Sequence, residues 1–166
     1  MFKPTSVSIL VLALAFGLVT ASVENNPPQL IKANLVVVPD IAAFKATHPE
    51  LDVVPLNATK NNRSQIVYTV GQRLPGDQLV STTQDYSSSD TLQDVALYLR
   101  YPESGTGAVV TFVEIVVNQS SNQGHAHIVS GGVGEHFIEL VVEAYGTSYF
   151  QYSVQVYGYF SWEIEP

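Results

Sequence analysis

From Ile66 onward, apolar and polar residues alternate with period two, and this spacing predicts β-strands because successive side chains of an extended chain point to opposite faces. Val95, Leu97, Leu99 and Tyr101 alternate with Asp94, Ala96, Tyr98 and Arg100. In the run 108–118, Val109, Val113, Ile115 and Val117 share one side, with Glu114 and Asn118 on the other. Ile138, Leu140, Val142 and Ala144 alternate with Glu139, Val141 and Glu143, and Phe150, Tyr152, Val154 and Val156 alternate with Gln151, Ser153 and Gln155. With 66–70, 78–82 and 125–130 these segments make about seven strands. Gly105 and Gly107, the run from Gly131 to Gly134, and Gly146-Thr147 supply the turns between them. The expected fold is all-β, an antiparallel β-sandwich or a closely related barrel.

The stretch ahead of this domain has a different grammar. Prolines at 27, 28, 39, 49 and 55 interrupt both helices and ladders, so residues 22–65 read as an irregular Pro-rich arm. One short helix is expected over 41–47, capped by Asp40 and closed by Pro49, and the run 35–38 is a strand or a segment tucked under the domain. At the start, Lys3 precedes an apolar run from Ile9 to Val19, followed by the small residues Thr20 and Ala21. That is the pattern of a secretory signal peptide cut between Ala21 and Ser22, too short and too quickly followed by polar residues to span a bilayer. The expected organisation is a signal peptide over 1–21, the arm over 22–65, the β domain over 66–158 and an aromatic tail over 159–166. No membrane span is expected after processing.

Composition sharpens this picture. Removal of 21 of the 166 residues leaves 145, and loss of Lys3 takes the net charge from -8 to -9. Seven basic residues against 15 acidic ones cannot furnish the clustered cations that neutralise phosphates, which excludes direct nucleic-acid binding. The chain has no cysteine, so an exported domain of this size must be held by its apolar core alone.

The inventory of reactive groups is poor. No nucleophile elbow, phosphate loop or helical metal motif occurs, and an enzyme is not expected. Glu139 and Glu143 read as solvated residues on the polar face of a strand. His125 and His127 project to one face of their strand, and His136 is expected within diagonal reach across the glycine turn. Three imidazoles would suit zinc or copper, but the sequence supplies no carboxylate to orient them, so no metal and no cofactor is assigned. Tyr149, Tyr157, Tyr159, Phe160 and Trp162 form a candidate interaction surface for a protein partner. Three acceptor sequons start at Asn57, Asn62 and Asn118, with the first two favoured because they lie in a polar stretch expected to be a loop.

Three ordered blocks carry a family resemblance. They are Gly71-Gln72-Arg73-Leu74-Pro75-Gly76-Asp77-Gln78-Leu79-Val80, the run 117–124 followed by Ser130-Gly131-Gly132-Val133-Gly134, and the segment 150–158 ending in Val156-Tyr157-Gly158. In this order they resemble the insect multiprotein bridging factor two family over residues 66–158. The resemblance implies a transcription coactivator that bridges a nuclear receptor and general transcription factors, or one of the similar insect proteins that are salivary or otherwise secreted. The signal peptide and sequons put this chain on the secreted side. The expectation is therefore a secreted, non-enzymatic insect binding protein of saliva, haemolymph or another extracellular fluid, with the coactivator role as the alternative.

Overall fold

The computed structural model describes residues 29–38, 43, 46, 47, 49, 54–60 and 65–160. The expected signal peptide over 1–21 with its expected cleavage site at Ala21 and Ser22, together with Asn62 and Trp162, lies outside the described residues. Of the helix expected over 41–47, Ala43, Ala46 and Thr47 have helical backbone, and the Thr47 hydroxyl donates to the Ala43 carbonyl at 3.4 Å. Among the described residues the strands are β1 (Lys32–Val38), β2 (Val54–Pro55), β3 (Asn57–Lys60), β4 (Gln65–Gly71), β5 (Gln78–Tyr101), β6 (Val109–Gln119), β7 (Gly124–Gly131) and β8 (Ile138–Tyr159). Among the described residues no helix is long and apolar enough to cross a membrane.

The all-β expectation holds, with one difference of architecture. The eight strands form a single open antiparallel sheet instead of two separate layers. The reason is the length of β5 and β8, 24 and 22 residues. Segments 78–82 and 94–101, expected as two strands, belong to β5, and 138–144 and 150–156 both belong to β8. The Gly146-Thr147 turn is therefore corrected to a bulge. Gly146 adopts φ +58°, but the strand continues through it: Tyr145 and Gly146 stand opposite the single residue Asp94, and nearby β5 carries the extra residues 89–92 opposite Ser148.

These two strands run through both halves of the sheet. In one, β5 and β8 lie between β1 on one side and β7 with β2 on the other; in the second they are followed by β6, β4 and β3. We call these the β7 half and the β6 half. The arm is less irregular than its prolines suggest, since all seven residues of β1 pair with β5 and β3 pairs with β4. Residues 57–60, expected as loop, are thus strand.

The inward residues of both halves merge into one core. Leu97, Leu99, Ile138, Leu140 and Val142 of the β7 half join Ile66, Tyr68, Val113, Ile115, Val117 and Val154 of the β6 half in a single cluster. The Ser120–Gln123 loop grips the β8 bulge from outside. Ser120 N–H donates to Thr147 Oγ1 at 3.1 Å, Ser148 N–H to Ser120 Oγ at 2.7 Å, Ser121 Oγ to the Tyr145 carbonyl at 2.6 Å and Tyr145 N–H to the Gln123 carbonyl at 3.1 Å. Asp94 Oδ1 accepts from Gly146 N–H at 2.7 Å, which fixes the bulge on the β5 side.

Because the fold has no disulfide and one shared core, truncating a side chain at its centre should be costly. Ile115, fully buried, should lose about 2–5 kcal/mol of stability as Ile115→Ala, whereas Leu92→Ala at the exposed β5 bulge should change it by less than about 0.5 kcal/mol. Urea unfolding of the two variants checks both values.

Candidate functional site

The run 71–77 carries the first block of the family resemblance, and its residues build a clasp. At Gly71, with φ +78°, a Cβ would fall 2.1 Å from the Thr111 carbonyl oxygen, so β4 can end against β6 only with glycine. Asp77, its side chain 1% exposed, accepts hydrogen bonds from Arg73 Nε, Leu74 N–H and Thr111 Oγ1, each at 2.8 Å, and its Oδ1 lies 2.7 Å from a terminal Arg73 nitrogen. The Arg73 guanidinium, aided by the other two donors, lowers the Asp77 carboxyl from 3.8 to about 2. Arg73 then lies 3.7 Å from the centre of the Tyr157 ring, a cation–π contact.

That contact changes the standing of the aromatic tail. Tyr157 is covered by Arg73, packs against Phe112 with ring centres 6.1 Å apart, and donates its hydroxyl to Gln155 at 3.1 Å. Tyr149 lies on the same face of β8 but eight residues away, roughly 26 Å at the rise of an extended strand. It lines a cavity of about 90 Å³ with Leu35 and Val37. Tyr159, half-buried, ends β8. Phe160 is corrected from surface to core: it is 7% exposed and packs in the main cluster, because a chain end that leaves a central strand still lies over that core. These residues are spread along one strand and do not gather into one patch.

The histidines are likewise separated. His125 and His127 share a face of β7 with ring centres 6.2 Å apart, but His136 lies in the β7–β8 turn with Nδ1 2.8 Å from the Gly107 carbonyl oxygen. His125 stands opposite Glu143, six residues from Gly131 at the turn end of β7, or roughly 20 Å. Among the described residues no group of three His, Cys, Asp or Glu side chains is placed to hold a metal.

Glu143, expected in solvent, is instead fully buried, whereas Glu139 is 31% exposed and paired with Arg100. The outward face of the β7 half is not a polar surface, since Val38, Ala96 and Val141 on it are also buried. Glu143 Oε2 accepts from the Tyr145 hydroxyl at 2.7 Å and lies 3.8 Å from His127 Nε2. Burial, reinforced by this carboxylate, pushes the Tyr145 and Tyr68 phenols well above their ordinary range, so both stay protonated.

The remaining geometry was not legible in the sequence. Further along the same outward face a cavity of about 290 Å³ is lined by Lys32 and Asn34 of β1, Tyr98 and Arg100 of β5, and Val129 and Val141. A second space of about 360 Å³ shares Arg100 and Glu139 and reaches Thr106 and His136. The outward faces of the two halves differ, because the β6 half turns outward the polar residues Thr69, Glu114, Ser153 and Gln155 together with two of the sequons. Asn57 is exposed on the edge strand β3, while Asn118 is half-buried and its Oδ1 accepts from Gln65 at 3.2 Å.

Residues 70–158 match a family described as transcription activator MBF2. No match was found among curated proteins or among solved structures.

The Asp77 clasp predicts a specific acid dependence. A carboxyl lowered from 3.8 to about 2 by folding contributes stability that is complete above its ordinary value and is lost as the pH falls toward 2. Asp77→Asn should remove that part of the acid transition and cost about 1–3 kcal/mol at neutral pH, since the ion pair with Arg73 is lost and one of the two accepting oxygens becomes a donor facing donors. Urea midpoints measured between pH 7 and pH 2 for both proteins check it.

Proposed function

We infer, for a chain that belongs to the MBF2 transcription activator family, that it is exported and works outside the cell as a binding protein. Its place is insect saliva, haemolymph or another extracellular fluid, and it acts on a protein partner without catalysis. The observation that carries this reading is the sequence from Lys3 to Ala21, in which a basic start, an apolar run from Ile9 to Val19 and small residues at the cut follow in the order export requires. Two further features support it. A sheet with no cysteine tolerates export without an oxidative folding step, and Asn57 presents its sequon on an exposed edge strand where a glycan is accommodated without displacing packed side chains. The excess of acid over base, 15 against 7, disfavours direct contact with nucleic acid.

The family description favours a second reading, in which the domain contacts transcription proteins inside the nucleus. An acidic sheet suits protein contact there as well, so location separates the two.

Expression with a carboxy-terminal tag in insect cells tests both. The secreted reading expects protein in the medium that begins at Ser22, with a mass that falls on treatment with an N-glycosidase and a glycan mapped to Asn57. Tagged protein retained in nuclei with residues 1–21 still attached would overturn it in favour of the coactivator.

A further inference from the structure

We propose that the outward face of the β7 half binds a small amphipathic carboxylate, gripped by Lys32 and Arg100 above an apolar floor. The proposal rests on the reading of the chain as a binding protein and names a class of ligand for it; it does not depend on where the protein acts.

The cross-strand register is the starting observation. Lys32 of β1 stands directly opposite Arg100 of β5, and both line the cavity of about 290 Å³. Like charges in that position repel and weaken the strand pair. The chain has only seven basic residues against 15 acidic ones, so two cations brought face to face are not the residue of a generally basic surface. One carboxylate serves them. Glu139, opposite Arg100 on the other side, takes the ion pair with the guanidinium, and Lys32 makes no ion pair among the described residues. The cluster therefore carries one uncompensated positive charge at the mouth of a concave site.

The floor supplies the second half of the recognition. Tyr98 and Val129, both half-buried, supply ring and aliphatic surface beside the cations, and the exposed Asn34 amide also lines the cavity. At about 290 Å³ the cavity lies at the small end of ligand sites, which span about 300–1,000 Å³. The adjoining space of about 360 Å³ beyond the Arg100–Glu139 pair leaves room for a longer body. A single uncompensated charge matches a monoanion, whereas a phosphate dianion would sit against Glu139 and be repelled. Apolar floor and monoanion together define a carboxylic acid with a hydrocarbon body.

Sodium decanoate is a suitable probe, with decanol as its neutral counterpart, titrated calorimetrically into the full chain at neutral pH. Expected are saturable one-to-one binding of decanoate, a loss of at least about tenfold in affinity in Lys32→Gln, near abolition in Lys32→Glu, and decanol binding that is weaker and indifferent to both variants. Relief of the Lys32–Arg100 repulsion should leave the thermal midpoint of Lys32→Gln unchanged or raised. No decanoate binding up to its solubility, equal binding by Lys32→Gln, equal affinity for decanol, or a lowered midpoint in that variant would each overturn the site. The outcome is separable from that of the export test, because a nuclear protein that still binds decanoate would overturn secretion alone.

Discussion

The fold hangs on one antiparallel pair. β5 and β8 remain hydrogen-bonded from Tyr101 and Ile138 at one end to Gln78 and Gly158 at the other, interrupted only by bulges. Neighbouring strands attach to opposite ends of this ribbon, β7 to the first part of β8 and β6 to the last. A flat ribbon of this length would expose the inward residues of both halves. The bulges at Gly146 of β8 and at residues 89–92 of β5 interrupt the ribbon where its two halves meet, and the inward residues of both halves share one core. In place of disulfides, two polar clasps keep that geometry: the Ser120–Gln123 loop on the bulge of β8, and the Asp77 carboxylate where the chain passes from β4 to β5.

The residues of the family resemblance find their reason here. Gly71, Arg73 and Asp77 make the second clasp, the run 117–124 supplies the first, and Gly131 and Gly134 take positive φ in the β7–β8 turn. Gly124 is held by a close approach, since a Cβ there would lie 2.4 Å from the Glu143 carbonyl oxygen. They shape the sheet; none of them presents a reactive group. In this chain the family blocks serve the architecture, while Lys32 and Asn34, which line the cavity of the β7 half, lie outside them.

The two outward faces divide the surface chemistry. The outward face of the β6 half is polar and carries Asn57 and Asn118. The β7 half hides Glu143, Val38, Ala96 and Val141 beneath its outward surface, and only beyond them opens the groove between Lys32 and Arg100. A face with buried apolar positions, one internal carboxylate and two opposed cations is chemically unlike the rest of an acidic protein.

Period-two alternation was enough to assign the strands after Ile66 and the inward rows of Ile138, Leu140 and Val142 or Val113, Ile115 and Val117, because which face a side chain takes is a local property of extended backbone. The same alternation misjudged Glu143, and the reading of the chain end as a surface misjudged Phe160. A polar residue on an outward row is solvated only if nothing else packs on that row, and a residue past the last strand is exposed only if the strand ends away from the core. Gly146 was legible as a break but not as a bulge, since a glycine with positive φ serves a turn or a bulge equally well until its partner strand is known. The sequence by itself determined the all-β class and the apolar rows. Tertiary structure alone decided that β5 and β8 are continuous, that His136 lies far from His125, and that Lys32 meets Arg100, because register between distant strands depends on the whole sheet and on no local pattern.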